Sequence, residues 1–451
     1  MEDLSFIIAL ILLSITTISY LSIWKLKSFF HPGFYFSILW LVAVFSEWYL
    51  IKYNLAIVVD VFYIDELNFL VSFTALCFLG FQFIGLKYKQ KQPILNCFYV
   101  KDYFKNIVIL IGIVAIFSFI YSGASLNMGL NRIAYGGYDE MRHIHKESSL
   151  LEILFNVLKS PLPFVAIFSG YLIGKQFVEK EISFKNKFIL YIPFIVYLLE
   201  TIQIGGRNPA IIGLKNYLLG FGLAMPYLLN SKKKVKLLSY VLIIFVSFSL
   251  FSTIVGNQRA MVRKQSISSE REDSAFYSLF SGVMDYMSAH YWGYQLRRTD
   301  YINNDYTYGS HTFYGFLNIS IPFSSSLETD NLWSVLGVDY EPLEIYKSGV
   351  TGFYTTYSIY LQLYKDFGPA GIYIFLLLFT FFTHHLFVRM QKKHNISFFD
   401  LFWFYMCFSF WSSSNFDSFY SSTFIKSLIV MSIIVVFVQK QFRTQLKLAK
   451  E

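Results

Sequence analysis

Eleven long apolar runs constrain this chain more than any other feature. They lie near residues 4–24, 34–51, 66–86, 106–122, 151–174, 188–204, 208–229, 237–255, 367–388, 398–414 and 421–439, each bounded by charge or by Gly and Pro. A helix needs about 20 apolar residues to cross a hydrocarbon core of roughly 30 Å, and these runs are close to that length. Composition argues against a soluble fold: 55% of the 451 residues are apolar, 20% aromatic and 15% charged, whereas soluble domains carry about a quarter charged residues. Fifty Phe and 34 Tyr cannot all be hidden in a core that leaves so little charge for its surface. The sequence therefore predicts an all-α fold, a polytopic integral membrane helical bundle of about 11–12 spans. Disorder, a disulfide scaffold and a soluble nucleic-acid binder are excluded, the last despite a net charge of +9. Cys77, Cys97 and Cys407 are too scattered for a zinc or disulfide pattern. In the first run Lys25 and Lys27 follow the apolar stretch instead of preceding it, the reverse of a signal peptide, so this run is expected to be retained as the first helix.

Lysine sets the orientation, because short cytoplasmic loops are enriched in Lys and Arg. Basic clusters recur at every second loop: Lys25 and Lys27; Lys87 to Lys105; Lys175 to Lys187; Lys232 to Lys236; Arg389 to Lys393; and Lys440 to Lys450. They hold 22 of the 38 basic residues against about five acids. The N-terminus is expected outside and the C-terminus inside. By this reading the chain divides into N-terminal transmembrane helices (1–255), a large external loop domain (256–350), and a re-entrant segment with C-terminal transmembrane helices (351–451).

The outer side differs in chemistry. Eight of the ten arginines fall there or in the spans: Arg132, Arg142, Arg207, Arg259, Arg263, Arg271, Arg297 and Arg298. Topogenic charge can be met by lysine, whereas the planar guanidinium grips phosphate oxygens bidentately and stays charged when partly desolvated. The outer arginines form a candidate phosphate or diphosphate site; the alternative is salt bridging to Glu270, Glu272 and Asp273. Gly205-Gly206-Arg207-Asn208-Pro209 sits in a tight outer turn, with Pro209 placed to open a helix. Arg207 is there either an anion ligand beside exposed helix N–H groups or a snorkelling side chain. Arg259 and Arg263, four apart, share one helical face, and either hold a diphosphate or act as stop-charges.

Two outer loops are long, near 123–150 and 256–350. The second is too aromatic for a disordered linker: Tyr286, Tyr291, Trp292, Tyr294, Tyr308, Phe313 and Tyr314 are among its rings. It is expected to fold as short amphipathic helices over the bundle, with Tyr and Trp serving as interfacial anchors or lining a carbohydrate groove. A half-length apolar stretch opens at Thr351 to Tyr357 and breaks at Lys365-Asp366-Phe367-Gly368-Pro369-Ala370-Gly371. Broken helices at membrane depth are tolerated where they line a cavity or are buried in protein, so a re-entrant piece is expected. Among the outer candidates for a general base (His290, His311, Asp139, Glu140, Asp305, Glu328), His311 is preferred because imidazole titrates near neutrality. No metal-ligand spacing, phosphate-binding Gly-rich loop or Gly-x-Ser-x-Gly occurs.

The Gly205-Gly206-Arg207 turn, the Asn257 to Lys264 segment, and Thr351-Gly352 followed by Asp366-Phe367-Gly368-Pro369-Ala370-Gly371 together resemble the bacterial O-antigen polymerases of the Wzy type. The resemblance covers most of the chain as topology and short stretches as residues. It implies a metal-independent glycosyltransferase without cofactor, in the bacterial inner membrane, acting on the periplasmic side. Such an enzyme moves a growing glycan from undecaprenyl diphosphate onto the non-reducing end of another carrier-linked repeat unit. Carried over, Arg259 and Arg263 act at the diphosphate leaving group with His311 as base, while Arg207, Arg132, Arg298, Tyr308, Tyr314 and Tyr354 contact substrate. The partners implied are the carrier-linked oligosaccharide, the bilayer, and a chain-length regulator and flippase of the same pathway. An O-antigen ligase and a lipid-linked oligosaccharide flippase are the alternatives.

Overall fold

The computed structural model describes residues 2–53, 60–84, 94–95, 101–121, 154–155, 158–159, 161–179, 187–204, 208–225, 232–233, 235–236, 239, 284, 287–288, 290–295, 298, 358–392 and 395–412. Its long elements are all helical: α1 (Glu2–Trp24), α2 (Pro32–Lys52), α3 (Val61–Phe81), α4 (Lys101–Tyr121), α5 (Leu162–Glu179), α6 (Ile192–Ile204), α7 (Asn208–Ala224), α8 (Ile359–Lys392) and α9 (Phe398–Ser412). A two-residue parallel bridge pairs Ile94 with Asn395 and Leu95 with Ile396. Four described helical stretches are long and apolar enough to cross a membrane: Leu4–Phe30, Pro32–Lys52, Val61–Phe81 and Ile359–Lys392. Their exposed faces are greasy. Leu4, Ile7, Ile11, Ile15 and Ile18 run down one side of α1, and Phe62, Phe69 and Leu76 recur every seventh residue on α3. Faces of this kind are stable against lipid and unfavourable in water.

Nine of the eleven apolar runs coincide with described helices, with shifted ends; the run at 237–255, apart from Ser239, and the run at 421–439 lie outside the described residues. The run placed at 66–86 begins five residues earlier, at Val61, because Asp60 caps the helix by accepting the Phe62 amide at 2.9 Å. Asp65 and Glu66, which mark a boundary in the sequence, lie inside the helix because partners within the protein meet them. In the run at 151–174, residues 154, 155, 158 and 159 are helical and α5 starts at Leu162. At α9 a reciprocal cap forms: the Asp400 amide donates to Ser397 Oγ, and the Ser397 amide and hydroxyl donate to Asp400 Oδ2.

The chain forms two compact units: residues 1–89, 228–389 and 403–422, and residues 90–227, 390–402 and 423–451. Both are discontinuous in sequence.

In the first unit α1, α2, α3, α8 and the end of α9 close on an aromatic core. Trp411 packs edge-on to Phe36 (5.4 Å) and Phe78 (4.9 Å), and its indole N–H donates to Thr383. In the second unit the α5–α7 contact is backbone-close. A Cβ on Gly170 would meet the Tyr217 carbonyl oxygen, and one on Gly220 would meet that of Ile167. Small residues allow this approach between membrane helices.

Helix α8 is two helices joined at Gly368, whose φ of 68° and ψ of −176° lie in a region reserved for glycine. Before the break, the Tyr360 hydroxyl donates to Thr74, and Tyr364 stands nearer the start of α3, with the Arg298 guanidinium between it and Tyr63. After it, Tyr373 packs on Phe73 and Phe381 on Phe81, and the His384 ring bonds the Ile84 carbonyl. The first arm thus runs antiparallel to α3 and the second parallel to it. Phe367 and Phe375 stack at 5.1 Å, although residues eight apart on a straight helix are separated by about 12 Å.

Candidate functional site

Of the nine site residues expected from sequence, only Arg298 is described; Arg132, Arg207, Arg259, Arg263, Tyr308, His311, Tyr314 and Tyr354 lie outside the described residues. Arg298 belongs to a stretch that is helical where described (284, 287–288, 290–295 and 298), and all of these residues except the intermediate Trp292 are buried. Met284, Met287, Tyr291 and Tyr294, spaced three, four and three apart, fall on one face of the helix and form a buried apolar stripe.

Three residues of this stretch reach the first half of α3. The Gln295 amide oxygen accepts the Asp60 backbone N–H at 3.2 Å. The Tyr291 hydroxyl donates to Asn68 Oδ1 at 2.5 Å, Asn68 Nδ2 donates to Ser5 Oγ at 3.0 Å, and Ser5 donates to Asp65. This chain fixes the Asn68 amide orientation and ties the 290–298 stretch to α1 and α3 through four polar side chains.

Beside it, Arg298 donates through Nε (2.9 Å) and a terminal nitrogen (3.2 Å) to the two oxygens of Glu66. Its guanidinium lies 3.6 Å from the Tyr364 ring centroid and 5.4 Å from that of Tyr63. Burial opposes the charge on Arg298, but the Glu66 hydrogen bond and carboxylate outweigh it and hold the guanidinium above its ordinary pKa. Burial and then Glu66 push the Tyr294 phenol well above its own. The result is a permanently charged, aromatic-flanked guanidinium with one carboxylate on its fork, next to the tip of the α8 hairpin. Such a group can position an anionic or sugar-bearing ligand that shares or displaces Glu66.

Sequence reasoning missed Glu66, Asp65 and Glu47, the last only 2% exposed in α2. The signal was present: Val61-Phe62-Tyr63-Ile64-Asp65-Glu66-Leu67-Asn68-Phe69 carries acids with apolar residues on both sides, and ionisable residues inside spans mark function by default. The second unit holds a similar pair, Lys159 and Glu200 at 3.2 Å, with Lys159 also 3.5 Å from Ser118. Among the described residues no group of three or more His, Cys, Asp or Glu is arranged to hold a metal ion. No protein-family model, curated protein or solved structure matches the chain.

Proposed function

We propose that this chain is a polytopic membrane glycosyltransferase of the O-antigen polymerase type, transferring glycan from one undecaprenyl-diphosphate carrier to a repeat unit on another at the outer face of a bacterial inner membrane. The observation that carries the reading is the meeting, at one end of the first unit, of an arginine from the long aromatic loop, three tyrosines and the tip of a broken helix. A half-length arm that starts beside Thr74 and turns back beside Arg298 supports a re-entrant piece at membrane depth. The opposite end carries Lys25 and Lys27, so the rule of positive charge inside puts the Arg298 end outside. Here Arg298 and its tyrosines flank the acceptor path, while Arg259 and Arg263 offset charge on the departing diphosphate and His311 takes the acceptor proton.

Substituting Arg259→Ala or Arg263→Ala is expected to leave the protein inserted and abundant while surface polysaccharide collapses to single repeat units. Full-length polymer in both variants would remove the diphosphate assignment. A ligase differs in what a deletion strain accumulates: bare core with full-length polymer on the carrier, against core bearing one repeat for a polymerase.

The flippase reading gains one observation, the charges and polar groups within helices, namely Glu47, Asp65 and the Lys159–Glu200 pair. It predicts that purified protein moves carrier-linked repeats across vesicles without lengthening them; elongation in the same vesicles favours the transferase.

A further inference from the structure

At the opposite end of the first unit from Arg298, two histidines 353 residues apart meet in a setting that the transfer reaction does not use. His31, 0% exposed, caps α2; His384, 1% exposed, lies on the second arm of α8. The Gly33 backbone N–H donates to His31 Nδ1 at 2.9 Å, so that nitrogen bears no proton and His31 carries its hydrogen on Nε2. His31 Nε2 stands 3.2 Å from His384 Nδ1, which must therefore accept. His384 Nε2 is left to donate to the Ile84 carbonyl at 2.9 Å. Two backbone groups thus fix both tautomers, and all four ring nitrogens are used.

A further proton has nowhere to go without breaking this chain. The only lone pairs are His31 Nδ1 and His384 Nδ1, and both already accept. Protonating His384 sets two N–H groups face to face. Protonating His31 sets its Nδ1–H against the Gly33 amide and removes the cap of α2. Turning one donor–acceptor contact into a donor–donor contact leaves a buried group unpaired, which costs more than the bond was worth.

The surroundings do not offset the added charge. On α1, Tyr20 packs tilted against His31 at 4.4 Å and Trp24 meets His384 edge-on at 6.1 Å. The turn after α1 contributes Lys27, 2% exposed with its ammonium over Phe30. Phe78 of α3 faces His31, and α8 adds Phe387 together with His385 and Arg389 in sequence. Among the described residues no carboxylate pairs with either histidine.

We propose that His31 and His384 form a proton-operated latch, closed when both rings are neutral and opened by the first proton, which releases the α2 cap from the second arm of α8 and from the end of α3. On the orientation argued above, the latch responds to the cytoplasmic compartment.

The test uses the full chain in lipid nanodiscs, with nitrogen-15 histidine spectra and amide hydrogen exchange followed against pH. With the latch closed, the two resonances, assigned by their loss in His31→Asn and His384→Phe, both report the Nε2–H tautomer. On acidification they change together, and exchange across residues 31–37, corrected for its intrinsic pH dependence, rises by about tenfold per pH unit once the first proton binds. His31→Asn keeps a side-chain cap on α2 and removes the titrating ring that holds it, so exchange there loses its pH dependence. Independent titration of the two rings with unchanged exchange, or a His31→Asn variant retaining the wild-type pH dependence, would overturn the latch.

Discussion

His290 lies in the buried 290–295 stretch with 0% of its surface exposed, and burial pushes its pKa down to about 3. An unfolded histidine titrates near 6.5, so the unfolded chain binds this proton before the folded one does. The neutral ring's contribution is complete above about pH 6.5 and declines by roughly 1.4 kcal/mol per pH unit as the pH falls towards the folded value. Thermal unfolding in detergent from pH 7.5 to 4.5 should show this slope, and His290→Gln should flatten it. An unchanged slope in the variant would assign the acid sensitivity to another group. At Glu66–Arg298 the side chains are only 18% and 9% exposed. Removing one partner strands the other, which costs about 3–5 kcal/mol for a buried pair. Arg298→Met should therefore lower the melting temperature sharply, and adding Glu66→Gln should recover most of the loss. The recovered double variant also separates fold from function: on the proposed polymerase reading, a defect in polymer length that remains once stability is restored belongs to the Arg298–Glu66 pair and not to misfolding.

At the scale of elements, close packing at the α5–α7 contact contrasts with free space beside Gly80 of α3. Gly220 and Gly170 face the backbone of the opposing helix, whereas a Cβ on Gly80 would meet nothing within 4 Å. Gly220→Ala must push α5 and α7 apart and should cost about 1–3 kcal/mol as an overpacking change. Gly80→Ala should be neutral or stabilising by up to about 1 kcal/mol through helix propensity. Comparable effects in the two variants, read as unfolding midpoints under one detergent condition, would contradict the close α5–α7 contact. Part of this was legible: Gly170 and Gly174 are four apart on an apolar helix, the spacing that membrane helices use to pair. Which helix they would meet was not, because spacing names a face and not its partner. The break in α8 was legible for a local reason, since Gly368-Pro369 interrupts an apolar run. Its sharpness, with Phe367 folded onto Phe375, depends on Gly368 taking a positive φ that no sequence pattern dictates.

At the scale of the whole molecule, hydropathy located helices well because apolar length is a property of one segment. It misjudged their ends at Asp65 and Glu66, where a scan must stop at charge and the folded chain need not, since Ser5 and Arg298 come from elsewhere to meet it. The same limit applies to the site: residue type and outer placement picked out Arg298 as a substrate-binding candidate, while its seating on Glu66 between Tyr63 and Tyr364 depends on segments more than 60 residues away on either side. Orientation is the global property on which both the transferase reading and the compartment of the histidine latch depend, and lysine distribution argues for it directly. In a background lacking Cys77, Cys97 and Cys407, cysteines introduced as Asn303→Cys and Ser325→Cys in the long loop should react with a membrane-impermeant maleimide on intact spheroplasts. Lys233→Cys and Lys447→Cys, in two lysine clusters, should react only after permeabilisation. The opposite pattern would place Arg298 and its tyrosines in the cytosol, where no glycan on a flipped carrier is available to them, and would remove the transferase assignment. The latch chemistry would survive, with the outer compartment as its proton source.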